Sequence, residues 1–269
     1  MGLIETAKSK DGTPIAYERL GEGPPLLMVH GSTVDRTRWG GIVTRLAERF
    51  SLYLVDRRGR GRSGDGPSYH IEREFEDVAA VVEAIPSPAF VLAHSYGAIC
   101  SLEAMRLCPR IAKAVLYEPP LPVPGRSLFI LEDLGRRLDR LLAKGDRAGV
   151  VEAFLREVIH MGEPELARMR NSTGWQVRLA VAHTLPREVA TAYAYQFRPE
   201  TFAEVRAATL FLVGGRSPVY MQEATRMASA ALVGSRIVSL PGQGHAAITT
   251  APRLFLDEVI DFLESHSGF

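Results

Sequence analysis

The chain has 269 residues, 46% of them apolar and 23% charged, which suits one large α/β domain or two small ones of ordinary globular type. A formal net charge of +1 gives no electrostatic ground for a nucleic-acid or anionic-membrane partner. No apolar run approaches the roughly 20 residues of a spanning helix, and residues 1–10 lack the apolar centre of a targeting segment.

Short apolar, β-branched runs bounded by turn residues mark strands. Residues 3–8 and 14–20 read as an antiparallel start around the Asp11-Gly12 turn. Strands follow at 25–29, 52–56, 90–93, 114–117, 209–213 and 236–240. These later runs are nearly continuously apolar, as expected of strands buried on both faces of a parallel sheet. Helical patterns lie between them at 39–49, 72–85, 96–107, 221–231 and 252–265. The alternation predicts an α/β fold: a mostly parallel sheet of about eight strands, flanked by helices and joined by right-handed crossovers. Cys100 and Cys108 fall in a helical stretch and read as reduced, buried thiols without a metal-ligand pattern around them. The expectation is a cytoplasmic protein, monomeric or homodimeric, that uses neither cofactor nor metal.

Between residues 121 and 204 the alternation stops. Pro119-Pro120-Leu121-Pro122-Val123-Pro124 cannot be helical and marks a boundary. Beyond it lie amphipathic segments at 127–144, 147–160, 164–172, 175–182 and 187–195. An all-helical insertion after the sixth strand reads as a lid (121–204) over a core made of 1–120 and 205–269.

Three segments carry chemistry. Phe90-Val91-Leu92-Ala93-His94-Ser95-Tyr96-Gly97-Ala98 runs from a strand into a helix. A serine on such a turn has its hydroxyl raised above the sheet edge, with small residues two before and two after it, here Ala93 and Gly97. The helix N-terminus behind Ser95 favours developing negative charge. His30-Gly31-Ser32 follows the third strand. Acyl transfer needs two N–H donors aimed at an oxyanion; the backbone N–H groups of Tyr96 and Ser32 are the candidates. Gly242-Gln243-Gly244-His245-Ala246 lies between the last strand and the last helix. Parallel strands bring their C-terminal ends to one edge, so His245 can serve Ser95 as general base.

Together with the loop Asp56-Arg57-Arg58-Gly59-Arg60-Gly61-Arg62-Ser63, these motifs resemble the α/β-hydrolase superfamily, in its serine-nucleophile, helical-lid form, over nearly the whole chain. In that family the 56–63 loop is structural, and its charges are read as local turn and packing contacts. The family often places the triad acid after the seventh strand, in a turn like Gly-x-x-Asp-Pro. Here that turn reads Val213-Gly214-Gly215-Arg216-Ser217-Pro218, with Ser217 at the acid's position. Glu118, at the end of the sixth strand, is the alternative, as in haloalkane dehalogenase-like members of the superfamily. A Ser95–His245 dyad oriented by Ser217 or water is the rival arrangement.

His94, Phe129, Trp175 and His183 are candidates for the pocket wall. His160 reads as a surface or lid contact. The resulting expectation is a serine hydrolase that cleaves a small, hydrophobic ester or related acyl compound through an acyl-enzyme on Ser95. An acyltransferase, thioesterase, perhydrolase or C–C hydrolase would use the same residues, and a ligand-binding member without catalysis is the alternative from another class. A serine nucleophile argues against epoxide hydrolysis and dehalogenation, which need a carboxylate.

Overall fold

A strand sends successive side chains to opposite faces, so a continuously apolar strand needs cover on both. The computed structural model describes residues 2–123 and 129–265, and of residues 129–132 and 193 the backbone. Its strands are β1 (Leu3–Lys8), β2 (Pro14–Leu20), β3 (Pro25–Val29), β4 (Ser51–Val55), β5 (Ala89–His94), β6 (Ile111–Tyr117), β7 (Ala208–Gly214) and β8 (Arg236–Leu240). They form one sheet in the order β1-β2-β4-β3-β5-β6-β7-β8. β2 runs antiparallel to both β1 and β4, and every other pair is parallel. The expected α/β class and mostly parallel sheet are the ones the chain forms.

The helices of the first half are α1 (Gly40–Ala47), α2 (Ile71–Ala84) and α3 (Tyr96–Leu107). Between β6 and β7 come α4 (Phe129–Ala143), α5 (Arg147–Glu157), α6 (Glu163–Arg170), α7 (Trp175–Val181) and α8 (Leu185–Ala194). After β7 come α9 (Val219–Ala230), the single turn α10 (Ala247–Thr250) and α11 (Pro252–Glu264). On one face of the sheet, Leu27, Val29, Val91 and Leu116 pack with Phe75 and Val78 of α2, Ile99 of α3 and Ala224 of α9. On the other, Leu26, Met28, Leu92 and Val115 meet Ile42 and Leu46 of α1 and Phe255 and Val259 of α11. Neighbouring residues of one strand thus enter different cores, and this is why the central strands lack a polar face.

Two strands differ from expectation. β8 is an edge strand with Arg236, Ile237 and Ser239 exposed, because no strand among the described residues lies beyond it. β6 begins at Ile111, three residues before the predicted start, with Lys113 inside it. The Lys113 Nζ donates to the carbonyls of Phe262, Leu263 and Ser265 at 3.2, 2.9 and 2.5 Å. It thereby caps the C-terminus of α11, where carbonyls lack intrahelical donors and a cation is favoured.

The inserted helices have a core of their own, built from residues such as Leu134 and Leu138 of α4, Val151 and Phe154 of α5 and Val189 of α8. They are joined to the sheet by buried charge. Arg57 makes a two-pronged contact with Glu74 at 2.6 and 2.7 Å, and its Nη2 also donates to Glu188 Oε1 of α8 at 2.7 Å. Arg60 donates to the same Glu188 oxygen and to Thr184 Oγ1, while Arg58 pairs with Asp77 and Asp11. The charges of the 56–63 loop are therefore packing contacts as expected, but those of Arg57 and Arg60 are not local. They cross to a helix more than a hundred residues away, because a buried guanidinium must be paired wherever a carboxylate can be found.

Burial raises the Glu188 carboxyl, but the charges of Arg60 and Arg57 outweigh it and hold its pKa below the usual carboxylate range. A carboxyl whose pKa is lowered by folding contributes stability above its unfolded pKa, and that contribution fades as pH falls toward the folded value. Glu188→Gln is expected to lower the unfolding free energy by about 3 kcal/mol at neutral pH. The gap between variant and wild type should narrow from about pH 5 to pH 2. Urea denaturation across that range checks both statements; a gap that does not change with pH would contradict the second.

Candidate active site

The turn from β5 into α3 holds Ser95 at φ 55° and ψ −126°, a conformation that costs an L-residue strain. Its N–H donates to Tyr117 O at 2.9 Å, and its carbonyl accepts from Ala98 and Ile99 at the start of α3. Two glycines make room for the turn. A Cβ on Gly97 would sit 2.6 Å from Val29 O and closer still to His30 O. A Cβ on Gly31 would sit 2.9 Å from Ser95 Cβ. The His30-Gly31-Ser32 loop and the serine turn are thus pressed together, which neither motif reveals alone.

β6 neighbours β5 and ends at the same edge, so Glu118 follows directly beside the serine strand. Glu118 is fully buried, with φ 49°. Its Oε2 lies 2.5 Å from His245 Nδ1. Its Oε1 accepts from Gly214 N–H at 2.7 Å and from Ser217 Oγ at 2.5 Å. Ser217 therefore reaches Glu118, not His245. The His245 loop is fixed by Tyr117, whose hydroxyl donates to Gly244 O and accepts from Ala247 N–H.

Tautomers follow from these partners. A carboxylate only accepts, so His245 carries its proton on Nδ1 and keeps a lone pair on Nε2. His30 is fully buried and held neutral by burial and the Arg57 charge. Its Nδ1–H donates to Gly31 O at 2.8 Å, and its Nε2 accepts from Arg57 N–H at 3.3 Å. His94 is neutral through burial and the neighbouring His245. Its Nε2–H donates to His245 O at 3.1 Å. Of these three histidines, His245 is the one bonded to a carboxylate.

Two cavities meet at Ser95 and His245. The smaller, about 200 Å³, is mostly apolar, with Leu121, Val123, Phe154, Val189 and Met221 in its wall. Ser32 and Tyr96 line it beside Ser95, Glu118 and His245. Tyr96 is the first residue of α3, so its N–H is among those a helix leaves without an intrahelical partner. The larger cavity, about 770 Å³, is more open and adds arginines, hydroxyls and backbone amides to its apolar wall. His94 lines it, but its ring lies between Tyr117 and His245, at centroid distances of 5.0 and 4.5 Å.

The other pocket candidates fall elsewhere. Trp175 packs into the core of the inserted helices and lines neither cavity. His183 sits against Arg147, 3.1 Å from its Nη2, in a separate depression beside Gly59 and Asp65. The side chain of Phe129 lies outside the described residues. His160, read from the sequence as a surface or lid contact, lines both cavities. Nothing in the spacing of these two histidines of the insertion separates them; the path of the chain after α5 does. Cys100 and Cys108 are free and buried. Among the described residues no helix is long and apolar enough to cross a membrane, and no cluster of His, Cys, Asp and Glu could hold a metal ion.

Comparison with known proteins agrees with this architecture. The crystal structure of an alpha/beta hydrolase from Sphaerobacter thermophilus DSM 20745 is 36% identical, with a TM-score of 0.83, over 96% of this chain and 100% of that one. N-formylmaleamate deformylase of Pseudomonas putida is 34% identical over 113 residues, a stretch covering 40% of this chain and 42% of that protein. This match thus spans less than half of that relative's length. Pimeloyl-[acyl-carrier protein] methyl ester esterase of Sodalis glossinidius is 25% identical over 90% of this chain and 94% of that protein. Residues 26–258 match the profile of the alpha/beta hydrolase family. On this evidence the chain belongs to the alpha/beta hydrolase family.

Proposed function

We propose that the protein is a serine hydrolase acting on ester bonds through an acyl-enzyme on Ser95. The observation that carries this reading is the Glu118–His245 bond, which turns the Nε2 lone pair of His245 into a base beside the strained serine. Ser95 Oγ attacks the ester carbonyl carbon as His245 Nε2 takes its proton. Glu118 stays ionised and stabilises the imidazolium. The backbone N–H groups of Ser32 and Tyr96 receive the oxyanion. Collapse breaks the bond to the alkoxy oxygen, which leaves as the alcohol with the proton from His245. Water, giving its proton to His245, then attacks the acyl carbon, and the acid leaves as Ser95 is restored.

The apolar cavity supports a substrate with a hydrophobic part, and the inserted helices act as the lid that covers it. Among the relatives, one is named a methyl ester esterase and another a deformylase, and both names denote cleavage of an acyl compound. By sequence, the hydroxyl of Ser217 at the acid's usual place weakens the case for catalysis. Bonded to Glu118, it supports the acid that stands one strand away. Reduced, buried cysteines fit work in the cytoplasm on a small molecule.

Ser95→Ala is expected to abolish both p-nitrophenyl butyrate turnover and covalent labelling by a p-nitrophenyl phosphonate. Labelling that persists at another residue would overturn the assignment. Glu118→Gln should keep the fold but lower kcat by at least about a hundredfold, as loss of the orienting acid does in related triads. Ser217→Ala removes one of the donors to Glu118 and should cost about tenfold in kcat. Steady-state kinetics checks both; near-normal turnover in Glu118→Gln would rule that residue out as the acid.

A further inference from the structure

We infer that the wider side of the cleft is a subsite for a carboxylate carried by the substrate, held by Arg38 and Arg178. The inference rests on the serine-hydrolase reading and narrows its substrate class to esters that are apolar on one side of the scissile bond and anionic on the other.

Arg38 belongs to the 3₁₀ turn Arg36–Trp39 of the core, and Arg178 to α7 of the insertion. Both line the 770 Å³ cavity that has Ser95 and His245 in its wall. Elsewhere in the protein, buried arginines are neutralised: Arg57 by Glu74 and Glu188, Arg58 by Asp77, Arg60 by Glu188. Among the described residues, no carboxylate pairs with Arg38 or Arg178. Arg38 Nη1 donates to Thr249 Oγ1 at 2.8 Å. Arg178 Nη1 donates to Thr33 Oγ1 at 2.5 Å and to Thr33 O at 3.2 Å. These acceptors are neutral, and the buried Nε of Arg178 has no partner among the described residues. A guanidinium has five N–H donors, so most of the capacity of both groups is unspent.

The two charges also act on each other. Burial, reinforced by the charge of Arg38, pushes Arg178 down to about 10, and burial lowers Arg38 as well. Two half-buried cations without a counter-ion are unfavourable by themselves and become favourable once an anion bridges them. Arg168 and Arg216 line the same cavity from exposed positions and form no ion pair among the described residues. Among the described residues that line it, Glu165, exposed, is the single carboxylate. Among the described residues, no arginine lines the apolar cavity across Ser95. The planar, two-pronged donor face of arginine matches a carboxylate, and the neighbouring serine fixes what else the ligand must contain.

The test compares two pairs of near-isosteric esters. One places the carboxylate in the acyl arm: p-nitrophenyl hemiglutarate against p-nitrophenyl pentanoate. The other places it in the alcohol arm: 4-carboxyphenyl butyrate against 4-carbamoylphenyl butyrate. In the wild type at least one pair should favour the carboxylate by about tenfold or more in kcat/KM, the scale of one or two charge-assisted hydrogen bonds. In the double variant Arg38→Gln/Arg178→Gln that ratio should fall to about one, whereas Arg178→Lys, which keeps the charge but loses the two-pronged face, should retain an intermediate preference. Ratios of one or less for both pairs in the wild type, or a preference that survives in the double variant, would overturn the inference.

Calorimetric titration of Ser95→Ala with glutarate reads the subsite without turnover. Binding should weaken at least about tenfold when Arg38→Gln/Arg178→Gln is added. Glutarate binding without ester turnover in the wild type would remove the hydrolase reading and keep the anion site. Turnover of neutral esters with neither preference nor glutarate binding would remove the anion site alone.

Discussion

A carboxylate with no access to water must find its donors inside the protein, and Glu118 finds three: Gly214 N–H, the Ser217 hydroxyl and His245 Nδ1. These come from the end of β7 and the loops that follow β7 and β8, while Glu118 itself directly follows β6. One side chain therefore ties three strand ends together at the edge where Ser95 stands. Removing any donor leaves part of a buried charge unsatisfied, and such a group is far costlier than an exposed one. The orientation of His245 follows from this arrangement, and so does the availability of its outward nitrogen.

The second constraint is steric. The turn at Ser95 exists because Gly31 and Gly97 let three backbone segments approach within van der Waals distance. Strain at Ser95 and at Glu118, both with positive φ, is held by the close packing of this edge. Tyr117, which precedes Glu118 and whose carbonyl accepts from Ser95 N–H, adds the bonds that anchor the His245 loop. Strain, close packing and the buried carboxylate form one cooperative unit, so a change in any of them is felt by the others.

Most of the sheet was legible in the sequence, because strands buried on both faces leave continuous apolar runs with little ambiguity. The exceptions have local causes. Lys113 hides the start of β6 because its charge serves the end of α11, and β8 departs from burial on both faces because it is an edge. At the site, the strand–turn–helix motif and the glycine loops marked Ser95, Ser32, Tyr96 and His245. Glu118 stood out only through its place at a strand end, and the structure sets it against His245 Nδ1. That Ser217 donates to it could not be read, since it depends on how β6 and β7 lie side by side. The insertion was legible as helices but not as a surface. Helical periodicity says which residues face a core, and Trp175 does; it does not say which core, and Trp175 faces the insertion's own.

The Glu188 contact bears on how separable the insertion is. Arg57 holds Glu188 of α8, Glu74 of α2 and, through Nη1, the carbonyl of Gly31 at 3.1 Å. The residue that fastens the insertion is also the residue that fastens the loop facing the serine. The insertion is therefore not an interchangeable module: a graft from a relative without an acid at this position would leave Arg57 and Arg60 short of charge beneath it. Modularity in this protein stops at the level of the fold, and the seam between its parts is written in the core as much as in the piece that was added.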